Sequence, residues 1–203
     1  MERVYLVDDE PSVREALEGF LLAHGMEVIS FGSAADYLDY RRVDSAACLI
    51  LDLQMPGISG LDLQRRLADD SSPPIIFISG QGDIPSTVQA MRAGALEFLT
   101  KPVDPETLLA AVRLAFSQDL LKREQRADIA KLQSRLALLS RREREVLPLV
   151  VKGLLNKQSA AALGITEVTL QIHRSQIMKK MAAASFAELV RMATKLNIAL
   201  DHD

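Results

Sequence analysis

Five polar side chains stand at the ends of short apolar runs, and their types suit one kind of chemistry. Asp8 and Asp9 follow the run at residues 4–7, Asp52 follows 48–51, Ser79 follows 75–78, and Lys101-Pro102 comes just after 97–99. Three carboxylates in close quarters repel one another, so a hard divalent cation such as Mg²⁺ (or Mn²⁺) is their natural resident. Such an ion, held by Asp9, Asp52 and a backbone carbonyl, would neutralise charge on an incoming phosphoryl group, with Asp52 as the candidate nucleophile. The Lys101 ammonium can pair with one phosphoryl oxygen while the Ser79 hydroxyl donates to another. Taken singly, each residue is ordinary: an Asp after a strand usually caps the next helix, and Lys-Pro is usually a loop. The coincidence of all five at four separate run ends carries the reading.

For these residues to meet, the runs must be neighbouring strands. The apolar runs at 4–7, 27–30, 48–51, 75–78 and 97–99 alternate with stretches at 12–24, 59–68 and 85–93 that repeat apolar residues every three or four positions. Residues 107–116 read as the last helix of this part. Strands alternating with helices predict an α/β domain, an open parallel sheet covered on both faces and wound by right-handed crossovers. Ligands of such sheets gather outside the carboxyl ends of the strands, which is where the polar set falls.

The net charge of −3 conceals an asymmetry. Residues 1–119 hold 9 Lys/Arg against 19 Asp/Glu, and residues 120–203 hold 15 against 8. An acidic half joined to a basic half suits a regulatory module that carries a polyanion binder. No apolar run approaches the roughly 20 residues that span a bilayer, and the first residues lack the shape of a signal peptide, so a cytoplasmic protein without membrane contact is expected. The single cysteine, Cys48, lies among apolar residues; it forms no internal disulfide and reads as core.

Beyond residue 105 the pattern is helical throughout. Residues 118–135 are rich in Lys, Arg, Gln and Glu, and Ile129, Leu132, Leu136 and Leu139 form a short apolar seam. That seam suits either a coiled coil between two protomers or packing against the helices that follow. Ser140-Arg141-Arg142-Glu143 matches a capping box that opens a helix to about residue 151. Asn156, Thr166 and Ser185 are expected to cap three more, and residues 156–181 form a helix–turn–helix.

Several of these segments resemble known motifs. Val7-Asp8-Asp9-Glu10, Leu51-Asp52-Leu53-Gln54-Met55-Pro56-Gly57, Ser79-Gly80 and Phe98-Leu99-Thr100-Lys101-Pro102 resemble the receiver domains of two-component response regulators. The resemblance implies a flavodoxin-like five-stranded sheet of order 2-1-3-4-5, a phosphoaspartate at Asp52 and a sensor histidine kinase as donor. It also implies a metal site of Asp8, Asp9, Asp52 and the Gln54 backbone carbonyl, and a switch formed by Ser79 and the aromatic Phe98.

Residues 140–195 are similar to the DNA-binding domains of the LuxR/FixJ (NarL) type, a small four-helix domain. The match runs through residues 139–147, Gly153, Asn156-Lys157, Ala160-Ala161, Leu163-Gly164-Ile165, Thr169 with His173, Lys179-Lys180-Met181 and Glu188-Leu189-Val190. By that likeness Glu167–Met181 is the recognition helix, with Gln171, Arg174, Ser175 and Lys179 exposed, Thr169 at its start and Lys157 as a phosphate contact. The sequence departs from the pattern at Leu170-Gln171, Ser159 and Ala182-Ala183-Ala184, which implies an altered base preference and a thinner core. His173 reads as a packing or capping residue, and zinc is not expected.

The organisation that follows is a phosphoacceptor receiver domain at 1–119, a helical linker at 120–139 and a helix-turn-helix domain at 140–203. The expected function is a phosphorylation-controlled transcription regulator. Its expected partners are a sensor histidine kinase, promoter double-stranded DNA, RNA polymerase and, on phosphorylation, a second copy of itself. Catalysis beyond self-phosphorylation and slow autodephosphorylation is not expected. An aspartyl phosphohydrolase commonly needs a general acid two residues past the nucleophile, and that position is Gln54. A pure phosphorelay intermediate would leave the basic C-terminal part without a use.

Overall fold

The computed structural model describes residues 2–67, 71–80 and 84–198. It divides into two compact units, Met1–Arg123 and Glu124–Asp203. In the first, strands β1 (Arg3–Val7), β2 (Glu27–Phe31), β3 (Ala47–Asp52), β4 (Ile75–Ser79) and β5 (Glu97–Thr100) alternate with helices α1 (Pro11–Ala23), α2 (Ala34–Asp39), α3 (Gly60–Arg66), α4 (Ile84–Arg92) and α5 (Pro105–Ala137). All strand pairs are parallel and the order is β2-β1-β3-β4-β5, as the resemblance implied. The helix α2 lacked a clear sequence pattern; it is a short element capped by Ser33, whose hydroxyl accepts from the Asp36 N–H. The far end of the stretch expected at 59–68 lies outside the described residues.

Side chains alternate between the two faces of a strand, and here both faces are buried. Tyr5, Val7, Leu49, Leu51 and Phe77 face one apolar cluster, while Val4, Leu6, Cys48, Ile50, Ile76 and Ile78 face the other. The β1–β3 register pairs Leu6 with Ile50 and Val7 with Leu51. One step further along that register, Asp8 stands beside Asp52, on the face of Leu6 and Ile50. Leu99 lies in that second cluster too, so Lys101 emerges on the same side as both acids. Ser79 and Phe98 alternate onto the opposite face, with Phe77. The rim is thus sorted by strand periodicity before any side chain makes a contact.

Behind β3 the chain turns so tightly that Gly60 opens α3 against it. The Gly60 N–H donates to the Leu53 carbonyl at 3.0 Å. A Cβ at this position would lie 2.3 Å from the Asp52 carbonyl oxygen and 3.0 Å from the Phe77 ring, so no side chain fits here.

The helix expected at 107–116 and the helical linker expected after it are one element, α5, which runs unbroken from Pro105 to Ala137. No Pro or Gly follows Pro105 to stop it, and Asp119 anchors its middle. That carboxylate, fully buried, accepts from the Ala47 N–H at 2.9 Å and from Arg123 Nε at 2.6 Å. The end of α5 belongs to the second unit. There Leu132 and Leu139 are buried among helices α6 (Arg141–Val151), α7 (Asn156–Leu163), α8 (Glu167–Met181) and α9 (Phe186–Lys195). Of the two uses open to the apolar seam, packing within this unit is the one observed.

The caps follow the sequence with one correction. Ser140 and Glu143 form a full capping box, and Thr166 and Ser185 cap α8 and α9. Asn156 does not cap α7: Leu155 takes that place, with its N–H donating to Gln158, and Asn156 falls one residue inside the helix. Its side chain is thereby free to accept from Arg174.

Gly60→Ala is expected to lower the melting temperature of the first unit sharply. Overpacking typically costs about 1–3 kcal/mol, and the obstacle here is backbone, which cannot rotate away. Thermal unfolding followed by tyrosine fluorescence checks this, since all three tyrosines lie in that unit. An unchanged melting temperature would show that α3 can shift freely away from β3.

Candidate functional site

At the carboxyl end of the sheet, β1 delivers Asp8, β3 delivers Asp52 and the turn after β5 delivers Lys101. The Lys101 ammonium lies 2.8 Å from Asp8 Oδ2 and 3.0 Å from Asp52 Oδ1. It also reaches Glu10 Oε1 at 3.3 Å. Asp8 is fully buried and Asp52 nearly so. Each acid has a second tie: Asp8 Oδ1 accepts from the Glu10 N–H at 2.9 Å, and Asp52 Oδ2 accepts from the Gln54 N–H at 2.8 Å. Arg14 donates to the Asp8 carbonyl at 2.6 Å, which braces the loop leaving β1. Asp9, the next residue, is half-buried on this rim.

Burial raises the Asp52 carboxyl above the ordinary aspartate value; Lys101 and the Gln54 N–H pull against that, and the charge of Asp8 adds to it. Burial also works against the Lys101 charge, but its bonds to Asp8 and Asp52 prevail and hold the ammonium well above the ordinary lysine range. Two buried acids sharing one cation make a strongly negative site, with oxygen donors suited to a hard ion. No group of three or more His, Cys, Asp or Glu that could hold a metal ion occurs among the described residues. A divalent ion would therefore rest on few carboxylates and complete its shell with backbone oxygen and water, which is how Mg²⁺ is usually held. The three acids that the resemblance implied, Asp8, Asp9 and Asp52, do not form such a group here, but Asp8 and Asp52 offer carboxylate oxygens of the kind Mg²⁺ takes alongside backbone oxygen and water.

Ser79 ends β4 with its hydroxyl buried and, among the described residues, without a hydrogen-bond partner. A buried hydroxyl left unpaired costs stability, so a ligand that accepts from it has a ready place. The Ser79 carbonyl accepts from the Lys101 N–H at 2.8 Å, which ties β4 to the lysine loop. Phe98 is half-buried, its ring stacked on Phe77 with centroids 6.1 Å apart. It shares the Ser79 side of the sheet.

The second unit carries the other set of residues singled out in the sequence. Lys157, Gln171, Ser175 and Lys179 are exposed, as expected of a reading surface. Thr169 is half-buried and its hydroxyl lies 2.9 Å from that of Thr166. Arg174 departs from expectation. It was placed among the exposed residues of α8, but it is half-buried, bonded to Asn156 Oδ1, with its guanidinium 5.5 Å from the centre of the Phe186 ring. It sits on the flank of α8 that turns towards α7 and α9. His173 is half-buried. Lys180 turns inward to Glu143 at 2.7 Å, so the capping-box acid of α6 also anchors α8.

Sequence reasoning missed the bracing groups. Glu10 was quoted within a motif but given no role, and Arg14 and Asp119 were passed over. Their signal is tertiary: each acts on a residue distant in sequence or on a backbone atom, and no spacing rule marks such partners.

The chain matches the family described as "Response regulator receiver domain" over residues 4–113, and that described as "Bacterial regulatory proteins, luxR family" over residues 137–193. It is 46% identical to Nodulation protein W of Bradyrhizobium diazoefficiens, across 98% of this chain and 88% of that one. It is 41% identical to the transcriptional regulatory protein FixJ of Azorhizobium caulinodans, across 97% of this chain and 93% of that one. The structure of the response regulator StyR superposes with a TM-score of 0.81 at 44% identity, covering 96% of this chain and 98% of that one.

A carboxyl whose pKa is raised in the fold binds its proton more tightly there than in the unfolded chain. Its contribution to stability is thus present at low pH and is lost as pH rises through the folded value. Asp52→Asn removes that loss. The variant is expected to melt above the parent at neutral pH, with the gap closing as pH falls towards the ordinary aspartate value of 3.8. Calorimetry across that range is the check, and equal melting temperatures at neutral pH would mean that Lys101 fully compensates the buried charge.

Proposed function

The chain belongs to the response regulators that join a receiver domain to a LuxR-type DNA-binding domain, and from that premise we propose that it is switched by phosphorylation of Asp52 by a sensor histidine kinase. The observation that carries this is the meeting of Asp8 and Asp52 on one lysine at the sheet edge. The receiver takes residues 1–119, the DNA-binding domain residues 140–203, and residues 120–139 link them.

In the transfer, an Asp52 carboxylate oxygen attacks phosphorus while the bond from phosphorus to the donor's imidazole nitrogen breaks. That nitrogen keeps the electron pair. Lys101 turns from Asp52 Oδ1 to a phosphoryl oxygen, and the Ser79 hydroxyl, which has no partner among the described residues, donates to another. Receiver domains generally bind Mg²⁺ at this site, where it offsets negative charge on the phosphoryl group. Asp8, Asp9, Asp52 and the Gln54 carbonyl would hold it, or Mn²⁺ in its stead. Once Ser79 Oγ has moved to the phosphoryl oxygen, the half-buried Phe98 on the same side can turn further inward, which carries the signal away from Asp52.

The output is binding of promoter DNA by α8, with Lys179 on phosphates or bases, Gln171 and Ser175 on base edges, and Lys157 of α7 on a phosphate. Thr169 stands at the start of the helix, while Arg174, expected from the sequence to contact DNA, is engaged by Asn156 and Phe186 instead. Paired half-sites call for paired proteins, so phosphorylation is proposed to produce a homodimer. Its support is an apolar stripe on α4, where Ile84, Val88 and Met91 are exposed at helical spacing. No helix among the described residues is long and apolar enough to cross a membrane, and a cytoplasmic regulator that meets RNA polymerase at the promoter is the reading these features favour.

Acetyl phosphate with Mg²⁺ is expected to add one phosphate per chain, read by intact-mass spectrometry, and Asp52→Asn to take none. Full labelling of that variant would move the acceptor elsewhere. Sedimentation is expected to show the phosphorylated chain shifting from monomer to dimer, and Val88→Glu to weaken the shift at least ten-fold. A monomer in both states, with and without DNA, would overturn the dimer.

A further inference from the structure

Two aliphatic side chains on α8 point at solvent. Leu170, Ile177 and Met181 turn into the core, which at 3.6 residues per turn leaves Val168, Ile172, Ser175 and Lys179 as the outward stripe. Val168 is 67% exposed and Ile172 57%. Nothing in their own fold covers them, although the rest of that stripe is polar. Two side chains are far too little for a protein partner, which needs about 800 Å² per side. Their setting points instead to a polyanion: Lys179 continues the stripe, and residues 140–200 carry 10 Lys/Arg against 4 Asp/Glu.

The major groove of DNA presents one apolar group, the C5-methyl of thymine. We propose that Val168 and Ile172 read thymine methyls and so set an A·T preference in the operator. This rests on α8 being the recognition helix, whose N-terminal half is the part that meets base edges. Gln171 adjoins both and can take the N6 and N7 of the adenine in the same or the next pair. Four residues of helix rise about 6 Å and stacked base pairs about 3.4 Å, so the two methyls lie one or two base steps apart. The single arginine of α8, the side chain best suited to guanine, is held back by Asn156 and Phe186. The outward stripe therefore offers methyl contacts where an arginine would have read G·C.

The test uses the full chain, treated with acetyl phosphate and Mg²⁺, to select duplexes from a random-sequence pool. Selected duplexes are then remade with deoxyuridine for thymidine, which removes the methyl alone. Enrichment of two thymines one or two steps apart in each half-site is expected. Uracil at either position should weaken binding about four-fold, the worth of one buried methyl at about 0.8 kcal/mol. Val168→Ala and Ile172→Ala should each erase the thymine–uracil difference at one position; both residues are exposed, and circular dichroism confirms that the helices persist. Equal binding of thymine and uracil duplexes by the parent, or enrichment of G·C pairs there, overturns this inference and leaves α8 a DNA reader. Failure to enrich any sequence overturns the DNA reading as well.

Discussion

A single ammonium between two buried carboxylates organises the first half of this molecule. Asp8 and Asp52 are both withdrawn from water, and Lys101 is what lets them stand side by side. Buried acids left unpaired would repel and take up protons. Bonded to the lysine, they form a charged site at the sheet edge. Everything that sets their separation bears on that site: the parallel register of β1 on β3, the missing side chain at Gly60, and the Arg14 brace on the Asp8 carbonyl.

Strand periodicity divides the rim into two jobs. Acids and lysine fall on one face; the Ser79 hydroxyl, without a partner among the described residues, and the ring of Phe98 fall on the other, against Phe77. A group attached to Asp52 that captures the Ser79 hydroxyl would cross from one face to the other and so reach the side that carries α4. On the acid face, the strand that holds Asp52 is also bonded at its opposite end to Asp119 of α5. The same helix contributes Leu132 to the core of the second unit. One continuous element therefore takes part in both hydrophobic cores.

The second unit spends its polar and charged residues in two ways. Glu143, Lys180, Asn156 and Arg174 are turned to structure, clamping α6 and α7 to α8. Lys157, Gln171, Ser175 and Lys179 remain at the surface. A net basic balance alone does not distinguish the two groups, since a cation paired within the fold contributes less to an incoming phosphate than a free one.

Much of this was legible in the sequence because it depends on local rules. Alternating strands and helices, a carboxylate, hydroxyl or lysine at four of the five strand ends, and Ser or Thr caps before helices are short-range patterns; the sheet order came from the family resemblance and is the one found. Contacts between distant residues could not be read that way. The withdrawal of Arg174 from the exposed face, on to Asn156 and the Phe186 ring, turns on such a contact. Arg174 has the sequence position of a reader and the surroundings of a clamp. Spacing along a helix states which side a residue faces; which neighbour occupies that side is decided when the chain packs.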